Sequence, residues 1–152
     1  AAVLAITAVE QPEALAFKPL AQLLFYPVTD ISCQRDSHRE HAEGYLLENA
    51  TLQWFYRQYA PASAHTDWQI SPLLMADMPA LAPTFLSLAE YDPLHDEGVA
   101  YGQRLQASGT SVVMRVEQGL THDFLRMSGI AGQVGDVYQA LNDWLCEVVI
   151  RA

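Results

Sequence analysis

Basic residues are scarce in this sequence. Eight Lys and Arg stand against 18 Asp and Glu, a formal net charge of −10. So few cations leave little to neutralise phosphates, so neither nucleic-acid binding nor docking on anionic membranes is expected. Cysteine is nearly absent as well. Cys33 and Cys146 lie far apart in unrelated contexts and make neither a disulfide framework nor a zinc site. Both are read as free thiols of a reducing, cytoplasmic setting. The longest apolar stretch near the start, Ala1 to Val9, is too short to span a bilayer and lacks the basic flank of a signal peptide. There is no internal repeat and no low-complexity tract.

What remains is ordinary globular material. Of 152 residues, 51% are hydrophobic and 17% charged, enough for one domain with a buried core. The opening Ala-Ala-Val-Leu-Ala-Ile-Thr-Ala reads as a buried helix already under way, and Gln11-Pro12-Glu13 breaks it. Leu20 to Tyr26 is a nearly continuous apolar run closed by Pro27, the pattern of a strand covered on both faces. Ser32 to His41 is polar and reads as loop, so His38 and His41 are expected to be solvated. Asn49 is placed to cap a helix over 50–59, with Leu52, Phe55, Tyr56 and Tyr59 on one face. A Pro-, Ala- and Ser-rich connection follows over 61–82.

The second half has sharper signals. Thr84 to Ala89 is a short apolar strand. Asp92-Pro93 opens a helix running to about Ala107, with Asp92 as its N-cap, and Gly109 suits its C-terminal turn. Ser111 to Glu117 is a β-branched strand. A last helix over about 133–150 puts Val134, Val137, Tyr138, Leu141, Trp144, Leu145 and Val148 on one face. Strand, helix and strand in this order make a right-handed βαβ unit. The fold class is therefore α/β, with three neighbouring parallel strands over 20–26, 84–89 and 111–117.

Chemistry concentrates in two loops. Asp92 lies three residues beyond one of these strands and His122 five beyond the next. In a parallel sheet both loops emerge at the carboxyl edge, where open α/β sheets bind ligands. Strands about 4.8 Å apart let a carboxylate and an imidazole on those loops meet. The pair would then serve as the orienting acid and the general base for a hydroxyl nucleophile. Capping alone would account for Asp92, and a lone loop histidine is most often a surface residue; their shared edge is what raises both.

Tyr26-Pro27-Val28-Thr29-Asp30, Glu43-Gly44-Tyr45-Leu46-Leu47, Ser71-Pro72-Leu73, Asp92-Pro93-Leu94-His95-Asp96-Glu97-Gly98 and the Gly119 to Phe124 loop, taken in order, resemble the hormone-sensitive-lipase-like branch of the α/β-hydrolases. The resemblance covers essentially the whole chain, as the C-terminal portion of that fold, and the Asp-Pro-Leu-x-Asp-Glu-Gly run is its most specific piece. It implies a carboxylic-ester hydrolase acting on a small-molecule ester without cofactor or metal. It also implies Asp92 as the triad acid, His122 as the base, and Asp96 and Glu97 as support for helix dipole and loop. By the same resemblance, about 33–72 is the inner part of a helical cap within a single partial domain. Tyr45, Leu46, Trp54, Phe55 and Trp68 are its candidates for lining an acyl or alcohol pocket. Neither Gly-x-Ser-x-Gly nor His-Gly-Gly-Gly occurs in the sequence; the resemblance places the nucleophile and the oxyanion loop upstream of Ala1. Asp123 stands where the family often has Gly.

Two other functions stay open at this point. One is a binding or regulatory module that keeps the fold without the chemistry. The other is a metal-dependent hydrolase using Asp92, His95, Asp96, Glu97 and His122, a weak ligand set because most of it comes from one helix start. Homo-oligomerisation is also left open.

Overall fold

The computed structural model describes residues 1–15 and 17–151, except for the side chains of Val149 and Arg151. Its centre is a sheet of three strands, β1 (Gln22–Phe25), β2 (Thr84–Tyr91) and β3 (Val112–Thr121), parallel and in the order β1-β2-β3. The apolar runs predicted these strands, although β1 is shorter than expected and β3 ends four residues later. Parallel pairing follows from the connections: β2 reaches β3 through helix α4 (His95–Ala107), a crossover that returns the chain in the same direction.

The alternation along each strand decides which helices cover which face. Leu24, Leu86 and Leu88 point to one side, where α1 (Ala2–Glu10) brings Ala2, Ala5 and Ile6, and α4 brings Tyr101 and Leu105. Phe25, Phe85 and Ala89 point to the other, against α5 (Gln133–Arg151), whose Val134 and Val137 are fully buried and whose Trp144 packs on Phe85. Full burial of each large apolar side chain contributes roughly 1.5–3 kcal/mol. The predicted face of α5 holds except at Tyr138, which is exposed and donates its hydroxyl to the Leu125 carbonyl. Gly98 lets α4 lie close to the sheet: a Cβ there would fall 2.4 Å from Leu88 Cδ2.

Between β1 and β2 the helix expected over 50–59 forms, and the polar stretch read as loop holds a further short helix. These helices are α2 (Asp36–Glu40) and α3 (Asn49–Tyr59), with short 3-10 turns at Ala62–Ala64 and Pro72–Leu74. Asn49 is the first helical residue rather than the cap, and Glu48 takes the cap position without a side-chain bond. The predicted stripe of α3 divides: Leu52 and Tyr56 are buried with Ile31 and Leu94, whereas Phe55 and Tyr59 are exposed.

Candidate active site

The loops after all three strands leave from one edge of the sheet, and a fault in β3 decides what meets there. Pairing is regular up to Ala89 opposite Glu117, and an unbroken register would set Asp92 beside Leu120. Instead, two extra residues of β3 are accommodated before Tyr91 pairs with Thr121. Gly119 turns the chain there with φ +75, and its N–H donates to the Glu90 carboxylate at 2.7 Å. Such bulges re-aim side chains beside functional sites. Here the result is that Asp92 and His122 each directly follow the last residue of their strand and face each other.

His122 Nδ1 lies 2.8 Å from Asp92 Oδ2. The other carboxylate oxygen of Asp92 accepts the Leu94 N–H at 2.9 Å, closing a turn, and Asp92 is buried while His122 keeps partial access to solvent. The helix predicted to start at Asp92 begins at His95, so Asp92 caps a turn ahead of α4 rather than the helix itself. With the carboxylate accepting at Nδ1, the ring proton is assigned to Nδ1 and the Nε2 lone pair is left to take a proton. The pair can therefore act as a base toward a hydroxyl.

Residues 1–126 match a protein family described by its alpha/beta hydrolase fold. This chain belongs to that α/β-hydrolase family. It is 49% identical over 113 residues to the ethyl acetate hydrolase of Pseudomonas putida, covering 74% of this chain and 36% of that protein. It is 39% identical over 116 residues to the carboxylic ester hydrolase LipN of Mycobacterium tuberculosis, covering 75% and 31%. A thermostable esterase structure from Pseudomonas putida superposes with a TM-score of 0.82 at 33% identity, over 90% of this chain and 44% of that one. The chain thus spans about a third of the length of the curated relatives it matches.

Within this α/β-hydrolase chain, the edge is fastened by buried polar groups that the sequence had left in a solvated loop. His38 is fully buried, which corrects the expectation for it, because α2 folds back onto the start of α4. Its Nδ1 accepts the Arg35 N–H at 3.2 Å, which assigns the proton to Nε2, 3.6 Å from Glu97 Oε2. Burial pushes the His38 pKa down. Glu97 Oε1 accepts the N–H groups of Thr29 at 2.5 Å and Asp30 at 3.1 Å, so the expected loop support is real and is fully buried. Burial drives its pKa up to about 8, against the pull of those two donors. Asp96 accepts the Ser37 N–H, and the Ser37 hydroxyl donates to the Pro93 carbonyl, tying α2 to the Asp92 turn. His41 is half-buried, its ring edge-on to Tyr45 and Tyr91.

The five pocket candidates are spread apart. Phe55 lines a cavity of about 530 Å³ beside the start of α1, together with Val28, Ile31, Tyr56, Tyr59 and Ile70. Tyr45 stacks on Tyr91 with ring centroids 5.3 Å apart, next in sequence to Asp92. Leu46 is exposed at φ +75, Trp54 is exposed against Phe55, and Trp68 packs on the main core. The potential metal ligands turn to separate partners: His95 Nδ1 to the Ala89 carbonyl, Asp96 to Ser37 and Glu97 to the β1 loop. Among the described residues no group of three or more His, Cys, Asp or Glu is arranged to hold a metal, and no helix is long and apolar enough to cross a membrane.

Proposed function

We propose that this chain supplies the acid and the base of a Ser-His-Asp triad that hydrolyses carboxylic esters. The nucleophilic serine and the oxyanion donors then lie outside these 152 residues. The observation that carries the reading is the 2.8 Å contact of Asp92 with His122 Nδ1 at the carboxyl edge of an α/β-hydrolase sheet. In this mechanism His122 Nε2 takes the serine proton as the oxygen attacks the ester carbonyl. Asp92 holds the imidazole in its Nδ1–H tautomer and stabilises the imidazolium that forms. The same proton then passes to the departing alkoxide, leaving an acyl-serine. A water that gives its proton to His122 then attacks the acyl carbonyl, the bond to the serine oxygen breaks, and Nε2 returns the proton to that oxygen as the acid is released.

The likeness to an ethyl acetate hydrolase favours short acyl esters as substrates. Segment 33–72 is read as the inner part of a cap. Phe55 borders a cavity, and Tyr45 stacks on Tyr91, the residue that precedes the acid. Tyr45, Leu46, Trp54 and Trp68 remain pocket candidates of the assembled cap. The two unpaired, exposed thiols accord with a reducing cytoplasm, where we place the protein. The test is hydrolysis of an aryl acetate by the protein that carries the nucleophile. His122→Ala is expected to lower kcat by about 10³-fold or more, and Asp92→Asn by a comparable order. A His122→Ala protein with undiminished kcat would overturn the assignment.

A further inference from the structure

Two non-glycine residues at this edge hold left-handed backbone, and both flank the base. Tyr26, directly after β1, has φ +38, and Asp123, directly after His122, has φ +65. Tyr26 also precedes Pro27, a position that ordinarily favours extended backbone. Conformations of this kind persist only where their surroundings fix them, and they gather at functional sites. Here the surroundings are specific. The Tyr26 N–H donates to the Ser87 carbonyl at 2.8 Å, anchoring the turn to β2. Its ring sits edge-to-face with buried Phe124, centroids 5.0 Å apart, and 4.6 Å from the His122 imidazole, tilted by 57°. Burial first, and then the nearby Asp123 carboxylate, raise the Tyr26 hydroxyl pKa, so the ring stays neutral.

We propose that Tyr26 is a positioning residue for His122: its strained turn delivers an aromatic ring that holds the imidazole against Asp92. Asp92 fixes one nitrogen, which alone leaves the ring free to swing about that bond. The Tyr26 ring, tilted by 57° and 4.6 Å away between centroids, closes off that swing and stands within reach of the imidazolium formed during turnover. This role rests on the reading of His122 as the base.

The experiment uses the protein that carries the nucleophile, labelled with 15N-histidine. The His122 Nδ1–H signal reports the bond to Asp92 whether or not an ester is hydrolysed, and aryl acetate hydrolysis gives kcat and KM separately. Tyr26→Leu is expected to lose or broaden the Nδ1–H signal and to lower kcat about 10–100-fold, with KM within about twofold. Tyr26→Phe, which keeps the ring, should retain both. The proposal is overturned if Tyr26→Leu leaves signal and kcat unchanged, or if Tyr26→Phe loses as much as Tyr26→Leu. If Tyr26→Leu does not fold, Tyr26→Met replaces it. Failure of both to fold while Tyr26→Phe folds would make the residue structural and overturn the proposal equally. An inactive parent protein with an intact Nδ1–H signal would defeat the esterase reading, and the signal comparison would still decide this one.

Discussion

Glu97 is a carboxyl with no solvent, fastened to the backbone of a loop 67 and 68 residues away in sequence. Its pKa of about 8 against an ordinary 4.5 gives stability a definite sign with pH. Between those values the folded chain keeps a proton that the unfolded chain has released, so stability is full at low pH and is lost as pH rises through about 8. His38, shifted down by burial, works oppositely, losing stability as pH falls below 6.5. The window above 6.5 therefore isolates Glu97. Urea denaturation of the folded protein is expected to show stability falling by about 1–2 kcal/mol from pH 6.5 to 8. Glu97→Gln should flatten that slope, and parallel slopes in the two proteins would remove the protonated carboxyl. The sequence made Asp92 and His122 readable because each follows a strand signal. It could not reveal His38 or Tyr26, whose neighbours arrive from elsewhere: His38 meets Glu97 only when α2 folds onto α4, and Tyr26 meets His122 only across the sheet.

Among the elements, β3 carries the decision that matters most. Apolar periodicity foretold its start but stopped at Glu117, because the residues that follow, Gln118-Gly119-Leu120, break the alternation. That break is the bulge, and it is what aligns His122 with Asp92. Gly119 stands at φ +75, and a Cβ there would meet only Gln133 Nε2 at an ordinary contact distance of 3.8 Å, so substitution there tests backbone strain and not crowding. Gly119→Ala is expected to cost about 1–2 kcal/mol, measured by thermal or urea unfolding, and to lower kcat through a displaced His122. Gly98 offers the opposite case. A Cβ at Gly98 meets Leu88, so Gly98→Ala should destabilise by about 1–3 kcal/mol through overpacking, with the pairing of Asp92 and His122 kept if α4 shifts as a unit. An unchanged melting temperature in Gly98→Ala would mean that Leu88 repacks freely. The helix starts were less legible for a related reason: Asp92 and Asn49 are both good cap types, yet Asp92 is drawn into a turn and toward His122, and Asn49 enters the first turn of α3.

For the molecule as a whole, three neighbouring parallel strands with their helices were legible, since continuous apolar runs and a βαβ spacing leave few arrangements. Segment 33–72 was less legible, because its buried Ser37 and His38 take their partners from around the start of α4 and follow no apolar pattern. The 152 residues on their own are expected to show no esterase activity above that of their His122→Ala variant, since imidazole and carboxylate cannot form an acyl-enzyme without the hydroxyl. Turnover of an aryl acetate by the chain alone, lost on His122→Ala, would reveal a nucleophile within it. The most direct measurement takes the protein that carries the proposed serine and treats it with an alkyl fluorophosphonate, locating the adduct and its rate of formation by mass spectrometry. The expected result is a single modified serine outside residues 1–152, with labelling slowed about 10²-fold or more in His122→Ala. An adduct within these residues, or a labelling rate indifferent to His122, would contradict the division of the triad proposed for this chain.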